Sequence, residues 1–211
     1  MDCIFENATT CISLNANGLS RLILNRVYLY GTSTNGISVL AGELKSHGVV
    51  MDNSASIVTA VSAVGPNSTI SMFDLEIRST ELTTAVFADY SASITLLGGK
   101  ISGSGDTTAF KFGTTTSSQT IIQVGLIKID GCGTHLDAGS LSSADDGIFS
   151  MMASKIDRSK ISALDTFPIY VLGYDEYQSK FRILGDFSVG RDGAGYSSQF
   201  GTGGPYIFDT L

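Results

Sequence analysis

The 211-residue chain is poor in charge, and what charge it has leans one way. Only 16% of residues are Asp, Glu, Lys or Arg, and 13 basic residues against 20 acidic ones leave a net charge of −7. A protein that holds nucleic acid neutralises phosphates with a basic face, so a nucleic-acid partner is excluded. No apolar run approaches the roughly 20 residues that cross a bilayer as a helix, which removes a helical membrane span. Met1-Asp2-Cys3-Ile4-Phe5-Glu6 lacks the basic and apolar regions of a secretory signal; the expectation is synthesis in the cytosol, or a chain that begins inside a longer one. Cys3, Cys11 and Cys132 are odd in number and show no metal-ligand spacing. They read as free buried thiols, although Cys3 and Cys11 could pair under oxidising conditions. No metal and no cofactor is expected.

Polarity comes instead from Ser, Thr, Asn and Gly, which suits strands with hydroxyl-bearing outer faces. Asn7-Ala8-Thr9 and Asn67-Ser68-Thr69 match the glycosylation acceptor pattern, which is short and frequent in such chains.

The residues from Thr69 to Asp157 repeat one pattern four times. Ile77, Ile101, Ile129 and Ile156 stand at one position, each preceded by a polar residue (Glu76, Lys100, Lys128, Lys155) and followed by another (Arg78, Ser102, Asp130, Asp157). A second apolar pair precedes the first three anchors: Ile70 with Met72, Ile94 with Leu96, Ile121 with Val124. Ala85/Phe87, Ala109/Phe110/Phe112 and Leu136 follow them. Three short strands per repeat of 24–28 residues, with Ser/Thr/Gly/Asp corners, spell a β-solenoid. The four isoleucines should therefore stack as one inward column.

Upstream, Leu22, Leu24, Val27 and Leu29 alternate with Arg21, Ile23, Arg26, Tyr28 and Tyr30, and Leu29 lies two periods of 24 before Ile77. Between residues 40 and 66 the register is open, because Gly42-Glu43-Leu44-Lys45-Ser46 mimics Gly99-Lys100-Ile101-Ser102-Gly103 yet comes too early. Asp145 to Ser154 has room for one short helical turn. The domain reading is a cap or first strand over 1–18, a β-helix over 19–164, and an aromatic, Gly-rich segment over 165–211.

Coils of this length with three strands resemble the right-handed parallel β-helix of the pectin-lyase-like superfamily. The resemblance covers roughly Leu19 to Leu184, and it implies an all-β fold. That superfamily holds polysaccharide lyases and glycosidases as well as viral and phage tailspikes, so the fold leaves activity open. Asp145-Asp146-Gly147 is similar to the paired aspartates of its polygalacturonase-like members. Their Gly-His-Gly is missing, the nearest match being Ser46-His47-Gly48 far upstream, and so is their Arg-Ile-Lys. No acidic cluster beside an arginine suggests the calcium site of the pectate lyases.

One constellation has the spacing for chemistry. In neighbouring coils Asp130 and Asp157 would stack about 4.8 Å apart, near the separation used by retaining glycosidases, with Lys128 and Lys155 stacked beside them. The competing reading is an exposed charge ladder. His47 and His135 fall several coils apart, as corner residues, and Gly190-Arg191-Asp192-Gly193-Ala194-Gly195 reads as a plain glycine-rich loop.

The expectation is a non-enzymatic structural or attachment protein of a virion, with a polysaccharide-degrading glycosidase or lyase as the alternative. Its partners would be itself, most simply as a homotrimer, other virion proteins and a host surface glycan. Residues 165–211 carry more aromatic area than a closing coil needs, which places Tyr174, Tyr177, Tyr196 and Tyr206 on a contact with another chain.

Overall fold

A computed structural model describes residues 3–6, 8–15, 20–31, 34–52, 58–114, 119–139, 141, 147–152, 154, 156–157, 160–162, 168–175, 180–188 and 207–210, with Cys3 and the last three stretches as backbone only. The chain winds into a parallel β-solenoid of about five turns. One wall stacks β2 (Thr10–Asn15), the first half of β4 (Asn35–Asp52), β5 (Thr59–Val64), β7 (Thr84–Asp89), β9 (Thr108–Phe112), β11 (Thr134–Asp137) and β13 (Ile161–Ser162). The other stacks β1 (Cys3–Glu6), β3 (Arg21–Tyr30), the second half of β4, β6 (Ser68–Arg78), β8 (Ser93–Ser102), β10 (Thr120–Asp130), β12 (Gly147–Met152) and β14 (Pro168–Asp175). Beyond β14 the pairing turns antiparallel, through β15 (Lys180–Ser188) to β16 (Ile207–Thr210).

Each long strand of the second wall bends once. Arg26, Gly48, Asp74, Gly98 and Leu126 all have φ between +50° and +77°, and all fall between the same two ladder pairs in successive rungs. A left-handed residue reverses the side-chain alternation, so the strand turns a corner and still presents apolar groups inward on both sides of it. Every turn therefore contributes three straight segments, as the sequence pattern implies.

The core is a set of columns. Leu29, Met51, Ile77, Ile101 and Ile129 are consecutive ladder partners; the first four are buried and Ile129 is half-buried against them. Ile156 follows Ile129 at the 27-residue offset of the β10–β12 ladder and packs partly buried on the same core. Beside this column run Leu44, Ile70, Ile94, Ile122 and Phe149, and on the opposite wall Ile37, Val61, Val86, Phe110 and Leu136. Phe110 and Phe149 meet across the interior with ring centroids 5.3 Å apart.

Several local expectations are corrected. The third member of the second apolar column is Ile122 rather than Ile121, which pairs with Ser93 on the outer face. Val86 rather than Phe87 faces inward, since Phe87 pairs with Lys111. Gly42 to Ser46 matches Ser68–Met72 and not Gly99–Gly103, so Leu44 belongs with Ile70 and Met51 takes the anchor position. Residues 147–152 form a strand, with no helical turn there.

The period is uneven for a visible reason. Leu29 to Met51 spans 22 residues, Met51 to Ile77 spans 26, and Ile101 to Ile129 spans 28. The short turn arises because β4 passes from one wall to the other without a loop. Gly42 makes that passage at φ +110°, and a Cβ there would stand 2.8 Å from the Ser20 carbonyl oxygen. The long turn carries extra residues between β9 and β10.

Candidate functional site

Three groups of polar side chains stand out on this frame. The first lies on the outer face of the segment after the bend. Tyr28 donates its hydroxyl to Asp52 Oδ2 at 3.1 Å, Arg78 approaches the same oxygen at 3.9 Å, and Arg78 binds Glu76 in a fork with both contacts at 2.7 Å. The Arg78 guanidinium holds the Glu76 carboxyl below its ordinary range, while burial, and then Asp52, push the Tyr28 hydroxyl up. One rung on, Lys100 Nζ reaches Asp130 Oδ2 at 3.3 Å. This is a charge ladder in which Asp52 and Asp130 are engaged by a neighbouring rung and Glu76 by its own.

The candidate catalytic pair has separate described contacts. Asp130 is a ladder partner of Ser102 and an ion-pair partner of Lys100. The β10–β12 ladder ends at Gly125 and Met152, so no strand pairing holds Asp157 against Asp130. Asp157 instead donates its backbone N–H to His135 Nδ1 at 3.0 Å. Lys155 lies outside the described residues, and Lys128 pairs in register with Lys100.

His135 is the centre of the second group. Its rung position is filled by Gly36, Ala60, Ala85 and Ala109 in the four preceding turns, three of them fully buried alanines. An imidazole there reaches across to the backbone of the connection between β12 and β13. Burial, then the nearby Lys160 ammonium, lower the His135 pKa, with Asp157 opposing. Lys160 in turn donates to the Cys132 carbonyl oxygen at 2.8 Å. The Cys132 thiol is pushed up to about 11 by burial, which keeps it protonated and unreactive near neutral pH. His47 is a strand residue rather than a corner residue: it stands one position before the bend and stacks on Phe73 with ring centroids 4.6 Å apart.

The third group has no counterpart in the sequence reading. Ser20, Arg21, Gly42, Glu43, Pro66, Asn67 and Thr69 line a cleft of about 760 Å³. Arg21, Glu43 and Thr69 are consecutive ladder partners. Glu43 accepts from Arg21 Nε at 2.5 Å on one oxygen and pairs with Lys45 at 2.9 Å on the other; those contacts, Lys45 first, hold its carboxyl below the ordinary range. Nothing in the sequence groups these residues, because their proximity depends on the 22-residue turn that the open register left unread.

Tyr174 lies in β14, paired in register with Phe181; its side chain, and all of Tyr177, Tyr196 and Tyr206, lie outside the described residues, as does the Gly190–Gly195 loop. Among the described residues no three His, Cys, Asp or Glu side chains gather in a metal-binding group, and no helix is long and apolar enough to cross a membrane. No protein-family model, curated protein or solved structure matches the chain.

Proposed function

We propose that the chain is a non-enzymatic structural or attachment component of a virion, working through its surface and its assembly rather than through chemistry. One observation carries this reading. The outward carboxylates of successive rungs are tied to cations in ladders, Asp52 and Glu76 to Arg78 and Asp130 to Lys100, instead of converging on a point where a substrate bond could sit. Exposed pairs of this kind contribute roughly 0–1 kcal/mol each, so their effect is to balance charge on the outer face. A column-stacked core of about five turns behind such a face gives a stiff segment, which is what a spike or fibre is built from. The resemblance to tailspikes adds the expectation of a homotrimer, docked to other virion proteins and facing a host glycan.

The test is direct. The double variant Asp130→Asn, Asp157→Asn should keep every function of the parent. Release of reducing ends or unsaturated sugars from a polysaccharide panel, abolished by either substitution, would overturn the non-enzymatic reading.

A further inference from the structure

The two ends of the solenoid are finished differently. At the C-terminal end β14 is followed by the antiparallel strands β15 and β16. At the N-terminal end the second wall stops in a step. β1 lies over residues 27–30 of β3, while residues 21–25 pair with β4 on one side and with no described residue on the other. Among the described residues β1 itself pairs only with β3, and β2 only with β4. An open strand edge pairs with another chain unless proline, lysine or an inward charge blunts it, and Arg21-Leu22-Ile23-Leu24-Asn25 has none of these.

The exposed side chains on this step are apolar where the rest of the wall is polar. Ile23 is 58% exposed, yet its ladder continues through Lys45, Ser71, Thr95 and Gln123. Ile4 is 63% exposed on β1, with Phe5 37% exposed beside it. Leu22 and Leu24 begin core columns and are only partly buried, because no described rung lies above them. Laid antiparallel, β1 and residues 21–25 match in one register. Cys3 and Phe5 share register with the buried Val27 and Leu29, so they fall opposite Leu24 and Leu22. Ile4 then falls opposite Ile23, and Glu6 opposite Arg21. Apolar residues meet apolar ones, and the only charges on the two strands meet with opposite sign.

Within one chain these strands cannot meet in this way, because β1 already runs parallel over residues 27–30, beyond the bend at Arg26. Between two copies they can, twice over. A two-fold axis through the bend, normal to the stack, sets β1 of each copy on residues 21–25 of the other and brings the open edges of the two β2 strands together. We propose that the N-terminal end is a docking surface for a second copy of this chain, joined end to end by the two β1–β3 pairs of an isologous dimer. The contact lies at the opposite end from β14 and does not depend on the virion reading.

The experiment reads the register by disulfide cross-linking of the full chain in a Cys3→Ser, Cys11→Ser background, which keeps only the buried Cys132. Directly opposed residues on antiparallel strands stand roughly 4.5–5.5 Å apart at Cβ, close enough for a disulfide. Ile4→Cys with Ile23→Cys, and Glu6→Cys with Arg21→Cys, should each give a covalent dimer on oxidation. Each cysteine alone, and the off-register pair Glu6→Cys with Asn25→Cys, should give at least tenfold less, with the circular dichroism spectrum unchanged throughout. Made with the native cysteines, Ile23→Lys should weaken association at least tenfold in sedimentation equilibrium, and it stays informative should the cysteine background perturb the fold. No dimer from either in-register pair, equal yield from the off-register pair or from single cysteines, or association indifferent to Ile23→Lys would overturn the contact. None of these outcomes bears on the non-enzymatic reading, which stands or falls on the polysaccharide panel.

Discussion

The carboxylate of Asp74 lies over Gly98, one turn further along the solenoid. A Cβ built on Gly98 would stand 2.8 Å from Asp74 Oδ1, and both residues are left-handed, at φ +54° and +77°. They are neighbours in the column of bends that gives each turn its third side. Aspartate and glycine tolerate that conformation; leucine does not, and Leu126 holds the same place at φ +55° with its side chain exposed.

Unequal responses follow along that column. Gly98→Val should lose about 1–2 kcal/mol from left-handed strain alone, and more from the crowding against Asp74. Leu126→Asn should hold or raise stability, because asparagine accepts the bend that leucine resists. Urea denaturation of the two variants checks this; a tolerated valine would mean the bends are not fixed by local conformation.

Ile101 sits fully buried between Ile77 and Ile129. Ile101→Ala should cost about 2–5 kcal/mol through lost burial and the cavity left behind. A loss below about 1 kcal/mol would show that the rung column is not the core.

The legibility of the fold tracks how locally it is encoded. The spacing of Ile77, Ile101 and Ile129 was readable because these turns have similar lengths and carry Ser/Thr/Gly corners. Leu29 to Ile77 also read correctly as 48 residues, although it divides into 22 and 26 at Met51. The division was hidden because a one-residue corner at Gly42 leaves no loop composition to mark it. Ile122 stands seven residues before Ile129, as Ile70 and Ile94 do before Ile77 and Ile101, but adjacent Ile121 is equally apolar. In β7 the larger Phe87 draws the eye, although Ala85 and Val86 are the buried pair. The cleft lined by Arg21, Glu43 and Asn67 was illegible because its residues meet only once the short turn is known.

Ser46 occupies the column of Leu24, Met72 and Leu96. It is fully buried, and its hydroxyl has no hydrogen-bond partner among the described residues. Relieving an unsatisfied buried hydroxyl is worth roughly 1–3 kcal/mol, so Ser46→Ala should raise the thermal midpoint. An unchanged or lower midpoint would mean that the hydroxyl is satisfied in solution.

His135 should make the connection between β12 and β13 sensitive to acid. Its folded pKa is lowered, by burial first and Lys160 second, against Asp157. A depressed histidine contributes stability that is present above the unfolded value near 6.5 and is lost as pH falls from there through the folded value. Protonated Nδ1 can no longer accept from Asp157 N–H. Denaturation at pH 7.5 and pH 5 should show a drop in the parent that is reduced in His135→Gln, since glutamine does not titrate. Identical pH dependence in the two proteins would contradict this role.

Sedimentation velocity of the full chain tests the proposed assembly most directly. The parent should sediment as a homo-oligomer, most simply a trimer, and Tyr174→Ser with Tyr177→Ser should shift it toward the monomer while the β-rich circular dichroism spectrum stays unchanged. A monomer at every concentration, in parent and variant alike, would contradict it.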